Sequence, residues 1–196
     1  MEFYPASTSV PSEWRTNRLW LRPLRATDVA LDYEAVMSSR EQLRRWSQTD
    51  WPTDDFTLAQ NLGDLEGHER EHEQRVAFTF TVLNPEGTRC LGCVYIIPLV
   101  AHTAHLYANA TYAANVGFWV RTSEVPNHPS TGSGQRLDKH LFATLRDWFA
   151  TEWPFDALTF IISQQDTRQA ALLSQAGLER RLTFELGDGR PCWLYS

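Results

Sequence analysis

Apolar and polar side chains alternate over residues 18–24 (RLWLRPL), a period of two that predicts a β-strand. The period then lengthens. Val29, Tyr33, Val36 and Met37 recur at spacings of three and four behind Thr27 and Asp28, whose side-chain oxygens suit a helix N-terminus. A second helical tract carries Leu43 and Trp46. Residues 51–55 (WPTDD) break it and open a third, which runs to about Arg75 with Phe56, Leu58, Leu62 and Leu65 as its apolar side. Residues 77–83 and 90–97 are rich in β-branched and aromatic side chains, and the turn chemistry of residues 84–87 (NPEG) joins them as a hairpin. A further strand covers residues 115–121, followed by a Pro/Gly/Ser loop over 123–134. Leu137, Leu141, Phe142, Leu145 and Trp148 form the stripe of a long amphipathic helix. Then come a buried strand at 157–163, a helix at 166–176 ended by Gly177, and two strands at about 178–186 and 190–195 closed through residues 187–189 (GDG).

This order predicts an α/β sheet with mixed strand directions and a crossover helix, α+β by some schemes. The length of 196 residues suits one domain, expected over 17–196 behind a loose lead-in at 1–16. Apolar residues at 42% and charged residues at 21% exclude a disordered chain. A net charge of -6, with no basic run longer than Arg44-Arg45 or Arg180-Arg181, argues against nucleic acid as a partner. No apolar run is long enough to cross a membrane. Three cysteines and a polar, Pro-punctuated start predict free thiols in a reducing cytoplasm. Strand alternation is expected to turn Cys90 and Cys93 to opposite faces, against a redox or zinc role.

Three stretches resemble the GNAT N-acetyltransferase superfamily, in particular its ribosomal-protein-alanine-acetyltransferase-like branch. RLWLRPLRATDVALDYEAV (18–36) is similar to the opening strand and helix, NVGFWVR (115–121) to the strand that splays open for a pantetheine arm, and DTRQAALLSQAGL (166–178) to the penultimate helix. The resemblance implies a twisted, mostly antiparallel mixed sheet of about seven strands flanked by about four helices. It also implies transfer of an acetyl group from acetyl-CoA to an amine of a small molecule or peptide N-terminus, by direct attack in a ternary complex and without a metal. An exposed sheet edge would be the place for a homodimer contact.

The cofactor-binding residues implied are Phe118, Trp119 and Val120 along the pantetheine. Thr131, Gly132, Ser133, Gly134 and Gln135 stand where free backbone N–H groups at a helix start would receive the pyrophosphate, with Arg136 and Arg168 as neutralising charges. The family's signature begins with Gln or Arg three residues before the first of these glycines; Pro129 stands there.

The usual proton-handling residues are replaced. Asn115 occupies the position of the family's Glu, and an amide cannot take a proton at neutral pH, although it could orient water or substrate. Leu173 occupies the position of the usual Tyr, with Ser174 as the neighbouring hydroxyl. Candidate substitutes are Glu71, His68, His72, Tyr95 and His140, while Trp46, Trp51, Asp54, Asp55 and His72 are expected around the acceptor pocket, the carboxylates as an acidic rim for a cationic amine. Absence of both usual groups also fits a GNAT-shaped ligand-binding protein without turnover. A third reading comes from residues 68–72 (HEREH), which match a zinc-hydrolase helix pattern but lie in a stretch polar all round, with no matching third ligand.

Overall fold

The computed structural model describes residues 3–125 and 136–196. Among them are eight strands: β1 (Trp14–Arg15), β2 (Trp20–Pro23), β3 (Phe78–Leu83), β4 (Cys90–Pro98), β5 (Ala113–Val120), β6 (Ala157–Ser163), β7 (Arg180–Glu185) and β8 (Pro191–Tyr195). They form one sheet in the order β1-β2-β3-β4-β5-β6-β8-β7. Every pairing is antiparallel except β5 with β6. The five main helices are α1 (Val29–Ser38), α2 (Arg40–Ser47), α3 (Leu58–Glu73), α4 (Leu137–Glu152) and α5 (Thr167–Gln175). A short helical turn at 101–107 fills the stretch before β5. The parallel pair needs a crossover, and α4 supplies it.

Alternation along the strands sorts two cores. On one face Phe80, Val94, Ile96, Val116 and Phe118 meet Leu141, Leu145 and Trp148 of α4 and Leu172 and Leu173 of α5. On the other, Cys93 and Trp119 meet Ala35 and Val36 of α1, Leu43 of α2 and Phe56. Trp148 is fully buried and stands edge-on to Phe80 at 4.9 Å. The α5 C-terminus closes as a Schellman turn. Gly177 has φ +89, its N–H reaches the Ser174 carbonyl at 3.1 Å, and the Leu178 N–H reaches that of Leu173 at 3.1 Å. A buried arginine, Arg121, ion-pairs with Glu34 and ties the end of β5 to α1.

The expected mixed, mostly antiparallel sheet is present, and two other expectations are corrected. The stretch at 1–16 is no loose lead-in from Phe3 onward. Tyr4 is 8% exposed and packs edge-on to Phe78 at 5.0 Å, while Arg75 donates to the carbonyls of Pro5, at 2.8 Å, and Thr8. β1 adds an eighth strand by pairing with β2. Cys90 and Cys93 face the same core, because the β3–β4 register moves from Val82↔Gly92 to Leu83↔Cys90. The extra residue, Leu91, reverses the alternation. Contact with Cys90 and burial push the Cys93 thiol well above its ordinary pKa, and both thiols are free.

Trp148→Ala is expected to cost about 3–5 kcal/mol, as truncating a large buried aromatic does. A lowered urea midpoint at unchanged m-value checks it.

Candidate active site

β5 and β6 pair over only three residues, Ala113↔Ala157, Ala114↔Leu158 and Asn115↔Thr159. Past that point β6 turns to β8 and β5 stays with β4, so the sheet opens into a notch. Asn115 stands at its apex and is 6% exposed. Its Oδ1 accepts from Thr159 Oγ1 and from the Ile161 backbone N–H, both at 3.1 Å. The side chain therefore supplies the acceptor that a continuing strand would have offered. Further along, two carbonyls of β5 take side-chain amide partners. Gln169 Nε2 donates to Phe118 O at 2.9 Å and Gln42 Nε2 to Val120 O at 3.1 Å. An incoming amide-bearing chain can replace these donors with its own, which is the fit a pantetheine arm requires.

The mouth of this cleft is charged. Asp138, in the first turn of α4 and 4% exposed, pairs with Arg136 at 2.7 Å and lies 3.8 Å from Arg168. It also accepts from the Lys139 backbone N–H at 2.8 Å. One carboxylate thus holds both implied phosphate-binding arginines beside a helix N-terminus. Phe118, Trp119 and Val120 line the same cleft. Residues 131–135, expected to hold the pyrophosphate, lie outside the described residues.

Across the notch a cavity of about 410 Å³ opens between the halves of the sheet. Tyr95, Asn115 and Gly117 form one wall, Ile161, Ser163 and Cys192 the other, and Trp46 with Gln48 crosses the top. The Trp46 indole lies over Gly117, where a Cβ would stand 3.5 Å from Trp46 Cζ2, in ordinary van der Waals contact. The Tyr95 hydroxyl accepts from Trp119 Nε1 at 3.2 Å and keeps its own proton to give. Burial, then the neighbouring Cys93 and Asp32, push its pKa well above the ordinary value. The phenol therefore holds its proton and is no base. Among the described residues lining this cavity there is no carboxylate.

Of the expected site residues, the structure brings together Trp46, Tyr95 and Asn115, and places Trp51 beside Trp46 in an adjoining recess. The others lie apart. Asp54 is exposed and paired to Arg44 at 2.7 Å, and Asp55 is exposed and accepts from Thr53 Oγ1 at 2.6 Å, so neither forms an acidic rim. Glu71 is exposed and bound to His68 Nδ1 at 3.2 Å. Ser174 is exposed on the outer side of α5. His140 contacts Thr16 Oγ1 at 3.0 Å, away from both clefts. His72 leaves the acceptor pocket altogether, because its ring packs against Phe78 and Phe80 at 5.1 and 5.4 Å. The two histidines of the HEREH segment therefore meet different surroundings, His72 these rings and His68 the ring of Tyr95 at 5.7 Å. Among the described residues no group of three His, Cys, Asp or Glu is placed to hold a metal ion.

This is the fold of the acetyltransferases. It is similar to RimL, a ribosomal L7/L12 alpha-N-protein acetyltransferase in complex with coenzyme A, at a TM-score of 0.68 and 14% identity, covering 92% of this chain and 93% of that one. The ribosomal-protein-S5-alanine acetyltransferase of Vibrio fischeri gives 0.68 at 16% identity, with 94% and 95% covered. RimJ of Mycobacterium smegmatis, in complex with CoA-disulfide, gives 0.68 at 18%, with 98% and 88% covered. No protein of curated function matches the sequence. A family model described as "Acetyltransferase (GNAT) domain" matches residues 18–179, and the chain belongs to that family. Its cosubstrate is accordingly acetyl-CoA.

Sequence reasoning missed Gln42, Gln48 and Asp138. Asp138 carried a signal, since a carboxylate one residue into an amphipathic helix is suited to its N-terminus. The glutamines carried none.

Two outcomes test these placements. Asn115→Ala leaves the Ile161 N–H without its acceptor and the Thr159 hydroxyl with only the Ala114 carbonyl, at 3.5 Å, and about 1–3 kcal/mol of stability is lost. Loss of activity at an unchanged urea midpoint would instead assign Asn115 a purely chemical part. His72 is held below its ordinary pKa by burial, with Arg25 adding to it and a Thr79 backbone contact opposing it. The folded state favours the neutral ring. That stability is full above the unfolded value, roughly pH 6.5, and is lost as pH falls from there toward the folded value. Melting temperatures of wild type and His72→Phe, compared between pH 7 and pH 5, should show the smaller drop in the variant.

Proposed function

We propose that this enzyme moves an acetyl group from acetyl-CoA to an amine of a small molecule or a peptide N-terminus, by direct attack within a ternary complex. The observation that carries the reading is the parting of β5 from β6 beyond Asn115, which sets a cofactor cleft against a second cavity through one opening in the sheet. The names of the similar structures, acetyltransferases of ribosomal proteins, support a peptide N-terminus among the acceptors.

Acetyl-CoA supplies an activated acyl thioester. The chain's own part is mostly positioning. Gln169 and Gln42 exchange their amide contacts on the β5 carbonyls for those of the pantetheine, and Arg136 and Arg168 turn from Asp138 to phosphate. The amine enters the cavity from the side of Gln48, against Asn115 and Gly117. As the new C–N bond forms and the C–S bond breaks, the amine proton goes to water, because no carboxylate among the described residues lines the cavity. Tyr95 gives its proton to the sulfur and regains one from solvent.

Acetyl-CoA should raise the melting temperature, by about 2.7 kcal/mol of stabilisation at a hundredfold excess over Kd. Arg168→Gln should weaken binding about tenfold, through loss of a charge-assisted contact. Free-thiol release over a panel of primary amines then reads turnover. Binding with no release on any amine would favour the ligand-binding reading that the missing carboxylate also fits. Absence of binding would end both.

A further inference from the structure

Trp46 and Tyr95 wall the amine cavity, and they also wall a second recess of about 210 Å³ between α1, α3 and β4, where Trp51 joins them. Its floor is Asp32, 4% exposed. Asp32 Oδ2 accepts from Asn61 Nδ2 at 2.9 Å, and Oδ1 from Cys93 Sγ at 3.6 Å. Each carboxylate oxygen can accept twice, so both keep a free acceptor direction. Among the described residues no Lys or Arg lines the recess, and Asp32 makes no ion pair. Asp64 stands exposed on α3 at the lining, and His68 completes it.

A carboxylate taken out of water without a counter-charge is costly. Burial pushes the Asp32 carboxyl upward, while the Asn61 amide and Cys93 thiol draw it back. A bound cation removes the imbalance, and indole and phenol faces are good surfaces for one. Nothing in acyl transfer itself calls for this arrangement.

We propose that the recess is a specificity pocket for a second cationic nitrogen of the acceptor, which docks on Asp32 between Trp46, Trp51 and Tyr95 while the reacting amine lies next door at Asn115 and Gly117. The acceptor class is then a molecule with two cationic nitrogens a few bonds apart. The second half of this statement rests on the acetyltransferase reading, whereas the docking of a cation does not.

Calorimetry without acetyl-CoA tests it on two pairs of probes, 1,5-diaminopentane against pentylamine and lysinamide against norleucinamide. The dicationic member of at least one pair should bind at least tenfold more tightly, and which pair shows it distinguishes a free diamine from a peptide end. Asp32→Asn keeps an acceptor for Asn61 and should abolish the preference. Trp51→Leu, on the opposite wall, should weaken the dication several-fold and reads the same site should Asp32→Asn fail to fold. The acetyl-CoA thermal shift should be the same in both variants and wild type. Equal binding of both members in both pairs, no binding by any probe, or a preference that survives Asp32→Asn overturns the proposal. A preference with no acetyl transfer to any amine keeps the pocket and removes the transferase reading, so the two fail separately.

Discussion

A sheet that opens in its middle needs something to end the pairing cleanly, and here that is the Asn115 carboxamide. Opening the sheet leaves backbone donors on β6 facing β5 without a partner, which costs about as much as a lost hydrogen bond apiece. Asn115 Oδ1 takes the first of them, from Ile161, together with the Thr159 hydroxyl. Gln169 and Gln42 do the corresponding service on the β5 carbonyls. The open form is therefore satisfied internally, by flexible or single side-chain contacts that a ligand amide can exchange. The family's usual Glu at position 115 would face the Ile161 and Thr159 donors too, but as a charge near the apex. In this chain the position serves architecture, and the proposed reaction leaves proton handling to Tyr95 and solvent.

Trp46 is the other organising residue. It lines the cofactor cleft, the amine cavity and the Asp32 recess at once. It lies over Gly117, and α2 ends immediately after it, at a left-handed Gln48 with φ 55. A partition made of one indole is thin and rigid, so three compartments meet within the breadth of a ring. Arg121 fixes the far end of the same strand to α1, and Asp138 fixes the arginines at the cleft mouth. The strand that borders both clefts is thus tied down at its C-terminal end and free along one edge.

Most of the fold was legible because it rests on periodicity. The switches between two- and 3.6-residue periods locate seven strands and all five main helices to within a few residues. β1 was not legible, being two residues long, and neither was the docking of Tyr4, since its partners Phe78, Trp153 and Arg75 lie more than seventy residues away. The bulge at Leu91 escaped for a similar reason: nothing in CLGC announces that alternation fails, and it alone decides which way Cys90 points.

The site was legible only where its residues lie on regular strands. Asn115, Phe118, Trp119 and Tyr95 follow from strand register, and they stand in or beside the clefts. Charges on helices and loops were misjudged, because Asp54 and Asp55 look acidic in sequence and are occupied by Arg44 and Thr53 in space. The informative carboxylate was Asp32, which falls three residues after Val29 and four before Val36, on the apolar stripe of α1. A charge at a core position breaks the pattern that makes a helix bury, and such a break persists where function compensates for it. Its partner is Asn61, the matching polar residue on the buried side of α3, which holds the carboxylate in place. Two polar residues on facing apolar stripes are a stronger sign of a site than any number of acids on an exposed turn.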